Sequence, residues 1–165
     1  MNRMELRDKG LLPADGPLYR ALALGDLPGA WLLVSPLLEP GRVEGLNVFT
    51  VFNCGLCLFR LEEYEQALTL LKRAERLLSS ADGLNAAERK LFVQAVETTD
   101  VELLPLDPEW GSGMERYALI RVRWLTALCL LRLGRGQEAA PIVRFLAQYQ
   151  ICLSQRADGT NHAQY

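Results

Sequence analysis

Apolar residues recur at helical spacing along most of the chain, and the recurrence is clearest between residues 48 and 78. Two amphipathic patterns follow each other there, and the short stretch Arg60–Glu63 between them has room only for a tight turn. We therefore predict a helical hairpin from about Glu44 to Ser80. Its apolar positions are Val48, Val51, Phe52, Gly55, Leu58 and Phe59 in the first helix and Tyr64, Ala67, Leu68, Leu71, Ala74, Leu77 and Leu78 in the second.

Shorter helical patterns precede and follow this hairpin. Two short helices are predicted between residues 16 and 38, with a helix stop at Gly25 between them. Pro36 is expected to end or kink the second of these helices, because proline lacks the amide hydrogen that a helix interior needs. A further helix is predicted to begin near Asn85, which can form a capping box with Glu88.

Two longer helices are predicted in the last third of the chain. They run from Met114 to Leu133 and from Gln137 to about Leu153, and a glycine-containing turn separates them. Residues 104–113, which contain two prolines, are expected to form a loop, and the acidic side chains between positions 97 and 109 are expected to be solvated rather than to bind Ca²⁺. No stretch alternates in the way that a strand requires. The predicted fold class is therefore all-α, with about six to seven helices.

Three of the predicted turns have similar sequences. In each turn a leucine ends one helix and an alanine begins the packed face of the next. The first two alanines are 37 residues apart, and the third is 72 residues further on, close to two such steps. Spacing of this kind is typical of stacked helical hairpins. The three turns are residues 24–30 (LGDLPGA), 61–67 (LEEYEQA) and 133–139 (LGRGQEA).

The central hairpin resembles a tetratricopeptide repeat (TPR). Gly55 and Ala67 stand where that family has small residues, which let the two helices approach closely while larger residues one turn away fill the flanking space. The resemblance covers roughly residues 16–153, with 84–113 as an irregular unit, and implies antiparallel hairpins stacked in a right-handed superhelix. The matching positions are Gly55, Leu58, Tyr64, Ala67, Leu71 and Ala74 in the central unit, Ala127, Leu130, Ala139, Val143 and Leu146 in the last, and Gly25, Ala30, Val34 and Leu37 in the first.

The resemblance also implies a concave face, lined by the first helix of each hairpin, on which a partner peptide binds. Arg121 and Arg132 would flank Trp124 on one side of a helix, and arginines beside an exposed aromatic ring suit a peptide with a carboxylate and an apolar anchor. The alternative is that this tryptophan belongs to the core and that the arginines are solvated. The implied peptide-binding residues are Phe52, Asn53, Leu56, Arg60, Arg121, Trp124, Leu128 and Arg132.

The composition suits one soluble domain. Half of the 165 residues are apolar, and 18 basic against 20 acidic side chains leave a net charge of −2, which gives no general attraction to nucleic acid or anionic lipid. The charged N-terminus is unlike a signal peptide, and no apolar stretch is long enough to span a bilayer, so a cytoplasmic location is expected. Residues 1–15 are expected to form a flexible lead-in, 16–153 the helical domain and 154–165 a disordered tail.

The cysteines are the main candidates for chemistry. Cys54 and Cys57 form a C-x-x-C motif, which in redox proteins lies at a strand–helix junction. Here the motif falls within a helical pattern, so two small buried residues are expected instead. Cys129 and Cys152 are isolated in sequence, and the one histidine, His162, lies in the tail. No metal site, cofactor or catalytic group is predicted.

These observations favour a non-enzymatic protein-interaction module, a scaffold, adaptor or chaperone that binds a peptide or helix in a concave groove. The first alternative is a ligand- or peptide-sensing regulatory domain of a signalling system, and the second is a thiol-redox protein that uses Cys54 and Cys57. The first hairpin is apolar on more than one side, which predicts a homodimer formed through the end of the array. The residues responsible are Trp31, Leu32, Leu33, Leu37 and Leu38.

Overall fold

Seven α-helices follow one another in the part of the chain that the structure describes, with no strand between them. The structure, a computed structural model, describes residues 15–79, 83–98 and 101–153. The predicted all-α class is therefore confirmed. The helices are α1 (Asp15–Ala23), α2 (Leu27–Val34), α3 (Val48–Arg60), α4 (Tyr64–Leu77), α5 (Ala86–Thr98), α6 (Glu115–Arg132) and α7 (Gly136–Ala147).

Six of the helices form three hairpins, in which α1 packs on α2, α3 on α4 and α6 on α7. Neighbouring hairpins then share contacts in a repeated way. The first helix of one hairpin, α3, contacts both helices of the hairpin before it. The first helix of the last hairpin, α6, likewise contacts both α3 and α4. The hairpins therefore lie in the order in which they occur along the chain.

The three hairpin turns have the same backbone geometry. The second residue of each turn has a positive φ angle, 74° at Gly25, 63° at Glu62 and 72° at Gly134. In each turn the next amide donates a hydrogen bond to the carbonyl five residues earlier, which is the Schellman way of ending a helix. These bonds are Asp26 N to Ala21 O (2.8 Å), Glu63 N to Leu58 O (2.9 Å) and Arg135 N to Leu130 O (2.8 Å). The similarity predicted between the turns is confirmed.

The close approach of α3 and α4 depends on Gly55. A methyl group at this position would lie 3.2 Å from Leu71 Cδ2 and 3.7 Å from the Ala67 carbonyl oxygen, so α4 packs almost directly on the α3 backbone. Ala67 itself is fully buried, as are the corresponding alanines Ala30 and Ala139 of the other two hairpins. The small residues singled out by the TPR resemblance thus lie where helices meet.

Residues 84–113 do not form a repeat unit, and the prediction of an irregular unit here is wrong. Helix α4 packs directly on α6, so this stretch is a connection inserted between the second and third hairpins. Pro105 and Pro108 prevent a second helix from forming after α5. The helix α5 buries Phe92, whereas Leu91 beside it is 67% exposed. The predicted capping box is confirmed, since the side chains of Asn85 and Glu88 each accept a hydrogen bond of 2.9 Å from the other residue's backbone amide.

Several predicted boundaries need correction. Helix α1 begins at Asp15, one residue inside the predicted lead-in, and α7 ends at Ala147 rather than near Leu153. Gln150 has a φ of 59°, and the Ile151 amide donates to the Leu146 carbonyl at 3.3 Å, so the chain turns back there. Residues 1–14 and the predicted tail, 154–165, lie outside the described residues.

Buried side chains form two adjoining clusters. The larger one joins α1, α2, α3, α4 and α6, and the smaller one joins α5, α6, α7 and the chain that follows α7. Side chains of α6 take part in both clusters, and this helix therefore links the hairpins to the inserted connection. None of the described helices combines the length and the apolar character needed to cross a lipid bilayer.

Candidate functional site

An irregular stretch of chain lies across the first helices of the second and third hairpins. We call residues 101–110 the crossing segment, and the side chains beneath it, Phe49, Phe52, Asn53, Tyr117 and Arg121, the α3–α6 face. Val101, Pro105, Leu106 and Pro108 of the segment are buried, whereas Leu104 and Glu109 are exposed. The protein's own chain therefore covers Asn53 and Arg121, two of the residues that the TPR resemblance assigns to a binding face.

Asn53 holds the middle of the crossing segment by its backbone. Asn53 Nδ2 donates a hydrogen bond to the Leu106 backbone carbonyl at 2.8 Å. The Leu106 backbone amide donates a hydrogen bond to the side-chain oxygen Oδ1 of Asn53, also at 2.8 Å. Both residues are fully buried. Buried backbone groups need partners, and one carboxamide here supplies both. These two bonds do not depend on which side chain residue 106 carries.

Arg121 holds the segment two residues earlier. Its Nη2 donates to the Leu104 carbonyl, and its Nη1 donates to the Tyr117 hydroxyl at 3.1 Å. The guanidinium carbon lies 5.4 Å from the centre of the Phe52 ring and 5.8 Å from that of Tyr117. Only 1% of the residue is exposed, and Nε has no hydrogen-bond partner among the described residues. Burial lowers the pKa of Arg121, while Tyr117 and then Glu102 favour its charged form.

Apolar contacts fix the centre and the C-terminal end of the crossing segment. Leu106 is fully buried between the buried prolines Pro105 and Pro108. Trp110 lies edge-on against Phe49, with 6.3 Å between ring centres, and against Tyr117, with 5.8 Å. The segment is thus bound by its backbone at Leu104 and Leu106, by the side chain of Leu106 and by an aromatic ring at its C-terminal end.

The prediction that eight side chains line an open groove is wrong for five of them. Phe52, Asn53 and Leu56 are fully buried, and Arg121 and Trp124 are each 1% exposed. The crossing segment covers Asn53 and Arg121. Trp124 instead packs in the smaller cluster, where its ring centre lies 6.5 Å from that of Phe92 on α5. Whether these residues bind a partner stays a prediction.

The other three predicted residues lie nearer the surface. Arg60 is half-buried and donates from Nη1 to the Leu22 carbonyl at 3.3 Å, which joins α3 to α1. Leu128 is half-buried, and Arg132 is exposed. Arg132 is therefore solvated, as the alternative interpretation expects, whereas Arg121 is buried.

The sequence analysis missed Phe49, Tyr117 and the crossing segment itself. The sequence predicts a loop over residues 104–113 with solvated acidic side chains, and within this loop Leu106 is fully buried. One signal was available, since a leucine between two prolines cannot continue a helix and still needs burial. The partner of that leucine lies 53 residues earlier in the chain, a distance that no local pattern reveals.

The cysteines of the C-x-x-C motif lie in the core of the hairpin. Cys54 and Cys57 are fully buried within α3, as predicted. Burial raises the pKa of Cys54 to about 12 and that of Cys57 to about 11, whereas a reactive cysteine needs a lowered pKa. No group of three potential metal ligands lies together within residues 15–79, 83–98 and 101–153.

A separate open cleft of about 480 Å³ lies between α4 and α6. Its basic side chains Lys72, Arg76 and Arg123 are partly neutralised, because Arg123 Nε lies 3.0 Å from Glu75 Oε1. The cleft is therefore a charged surface between two helices. None of its lining residues belongs to the α3–α6 face. Its lining is Lys72, Glu75, Arg76, Leu78, Ser79, Leu119 and Arg123.

Comparison of the chain with protein-family models, with curated proteins and with solved structures found no match. The resemblance to TPR proteins therefore depends on the residues and the contacts described above. Any functional conclusion likewise has to come from the α3–α6 face and the segment bound to it.

Proposed function

We propose that this chain is a non-enzymatic protein-interaction module of the TPR-like kind, and that its α3–α6 face binds an irregular peptide segment of a partner protein. The observation that carries the proposal is the pair of hydrogen bonds between Asn53 and the backbone of Leu106. A carboxamide that pairs with both backbone groups of one residue recognises the main chain rather than a particular side chain. The crossing segment then serves as an internal example of a bound peptide.

Hairpin contacts support the TPR-like part of the proposal. The order of contacts, with α4 packed on α6 and α3 packed on both neighbours, is the order expected of stacked hairpins. The three turns share one backbone geometry, and each is followed by a fully buried alanine. A cytoplasmic location fits the absence of any disulfide among the described cysteines.

The polar groups of the α3–α6 face suit a surface that opens. Burying a polar group without a partner costs free energy, so a permanent core favours apolar side chains at its centre. Asn53 and Arg121 lie at the centre of this contact. Both groups are readily hydrated when uncovered, and both are satisfied again by any backbone that lies across them.

A second surface supports the proposed self-association. Leu24, Trp31 and Leu32 are 84%, 37% and 74% exposed in the first hairpin. By contrast, Leu37, which was also predicted to form the dimer surface, is buried in the core of the protein. A second copy that docks here would remove these apolar side chains from water.

A peptide-display experiment tests the main proposal. Random peptides about as long as the crossing segment are selected on the full chain, and the enriched peptides are then titrated against Asn53→Ala and against Asn85→Ala. The second variant is the matched control, since it removes an asparagine that caps α5 outside the face. We expect the enriched peptides to bind wild type and Asn85→Ala and to lose binding to Asn53→Ala. No enrichment, or equal binding to both variants, would refute the proposal.

A further inference from the structure

Resting on the proposed function, we infer that the partner carries an irregular segment with the chemistry of residues 101–110, and that it binds by displacing them. The crossing segment is then an internal competitor for the α3–α6 face. The class of partner follows from what each position of the crossing segment contacts, and the displacement follows from how the segment is held.

The positions of the crossing segment define the partner. Glu102 lies at the Arg121 end, where its charge favours the charged form of that guanidinium. Leu106, between two prolines, fills the buried centre, and Trp110 lies against Phe49 and Tyr117 at the other end. The fitting partner is thus a segment without regular secondary structure that has an acidic residue four positions before a proline-flanked leucine and an aromatic residue four positions after it.

Charge complementarity favours the acidic residue. Arg121 is 1% exposed and has no ion pair of 4 Å or less among the described residues, and its Nε has no hydrogen-bond partner there. A buried guanidinium is stabilised most by a carboxylate that pairs with two of its nitrogens. A partner whose acid reaches Nε therefore gains an interaction that the described contacts of the crossing segment do not include.

The structure also indicates why the crossing segment can leave. Residues 104–111 have no regular secondary structure, and the hydrogen bonds from the α3–α6 face go to their backbone through two side chains. Because the segment is tethered, it competes at an effective concentration of roughly millimolar, and a partner in trans binds more weakly for as long as the segment stays in place.

The experiment uses a fluorescent peptide of residues 101–110, VELLPLDPEW, titrated by anisotropy against three full-length chains. These are wild type, Leu106→Ala, which weakens the buried anchor of the tethered segment, and Leu104→Ala, which makes the same substitution at a side chain that is 47% exposed. We expect Leu106→Ala to bind the peptide at least about 10-fold tighter than the other two chains. A peptide with Glu102→Gln should bind more weakly than the natural one.

Equal affinities for the three chains would overturn the inference. The proposed function would still stand if selected library peptides bound in an Asn53-dependent way, so the two failures are distinguishable. Should Leu106→Ala fail to fold, hydrogen exchange in the wild-type chain decides. Exchange of the Leu106 amide by local opening supports displacement, and exchange only through global unfolding makes the segment a fixed part of the core.

Discussion

Replacing Asn53 by alanine tests the most specific contact in the molecule. The substitution removes both hydrogen bonds to Leu106 and leaves the amide and the carbonyl of that residue unpaired in a fully buried place. Each unpaired buried group costs about 1–3 kcal/mol. Water that enters the space of the lost carboxamide restores part of this, so we expect a net loss of roughly 2–4 kcal/mol.

The location of this loss matters as much as its size. If Asn53 chiefly holds the crossing segment, the free energy of opening residues 101–110 falls while the three hairpins keep their stability. Amide exchange in that segment, measured by mass spectrometry, should then accelerate by roughly 30-fold or more, since 1.4 kcal/mol corresponds to a factor of ten. Exchange in α1 and α4 should change little.

Asn85→Ala is the control for this experiment. It removes the N-cap of α5, which costs about 1 kcal/mol, and its effect should be confined to that helix. Two results would refute the reasoning about Asn53. One is exchange in residues 101–110 within about threefold of wild type, which is a change under 1 kcal/mol. The other is a uniform loss of protection in every helix, which would make Asn53 a general core residue.

Three further predictions concern the rest of the fold. Glu62→Gly should stabilise the protein by about 1 kcal/mol and Gly134→Ala should destabilise it by about as much, because both positions have a positive φ, which glycine adopts without strain. Thermal unfolding measures both changes, and a change of the same sign in the two variants would contradict the reasoning. Burial raises the pKa of Cys54 and of Cys129 from 9.0 to about 12, so the stability that their neutral thiols contribute is present below pH 9 and is lost as the pH rises toward 12. The free energy of unfolding measured in urea should therefore decline less steeply above pH 9 in Cys129→Ala than in wild type. Leu32→Glu should abolish self-association in light scattering without loss of helicity, and a wild-type chain that stays monomeric at high concentration would reject the dimer.

The hairpins were predictable from the sequence because their determinants are local. Helical periodicity placed α3, α4 and α6 to within a few residues, and the shared turn sequences identified three places where φ becomes positive. Even Glu62, which is not a glycine, was aligned correctly through its neighbours Leu61 and Ala67. Local patterns of this kind depend on residues within one or two turns of each other, and one sequence contains all of them.

The site was not predictable in the same way. Periodicity correctly placed Asn53 and Arg121 on the first helices, but it carries no information about what covers a polar side chain. The covering residues belong to a stretch without period, and the contact between Asn53 and Leu106 joins positions 53 residues apart. An asparagine in the middle of an apolar helix face was a second local sign beside the proline-flanked leucine, since a buried carboxamide needs partners from elsewhere in the chain.

The inserted connection explains both the spacing of the turns and the covered face. Because α4 packs directly on α6, a short turn after Leu77 would have been enough to begin the third hairpin. The chain instead forms α5 and then returns to Glu115 across the first helices. The distance of 72 residues between the last two turn alanines therefore reflects one hairpin step plus an insertion of about one more, rather than two repeats. This connection could have passed through solvent, but it lies on the face expected to receive a partner. It is held there by Asn53 and Arg121, whose hydrogen bonds go to backbone groups and not to particular side chains. This placement is what favours a competitor for the α3–α6 face over a spacer.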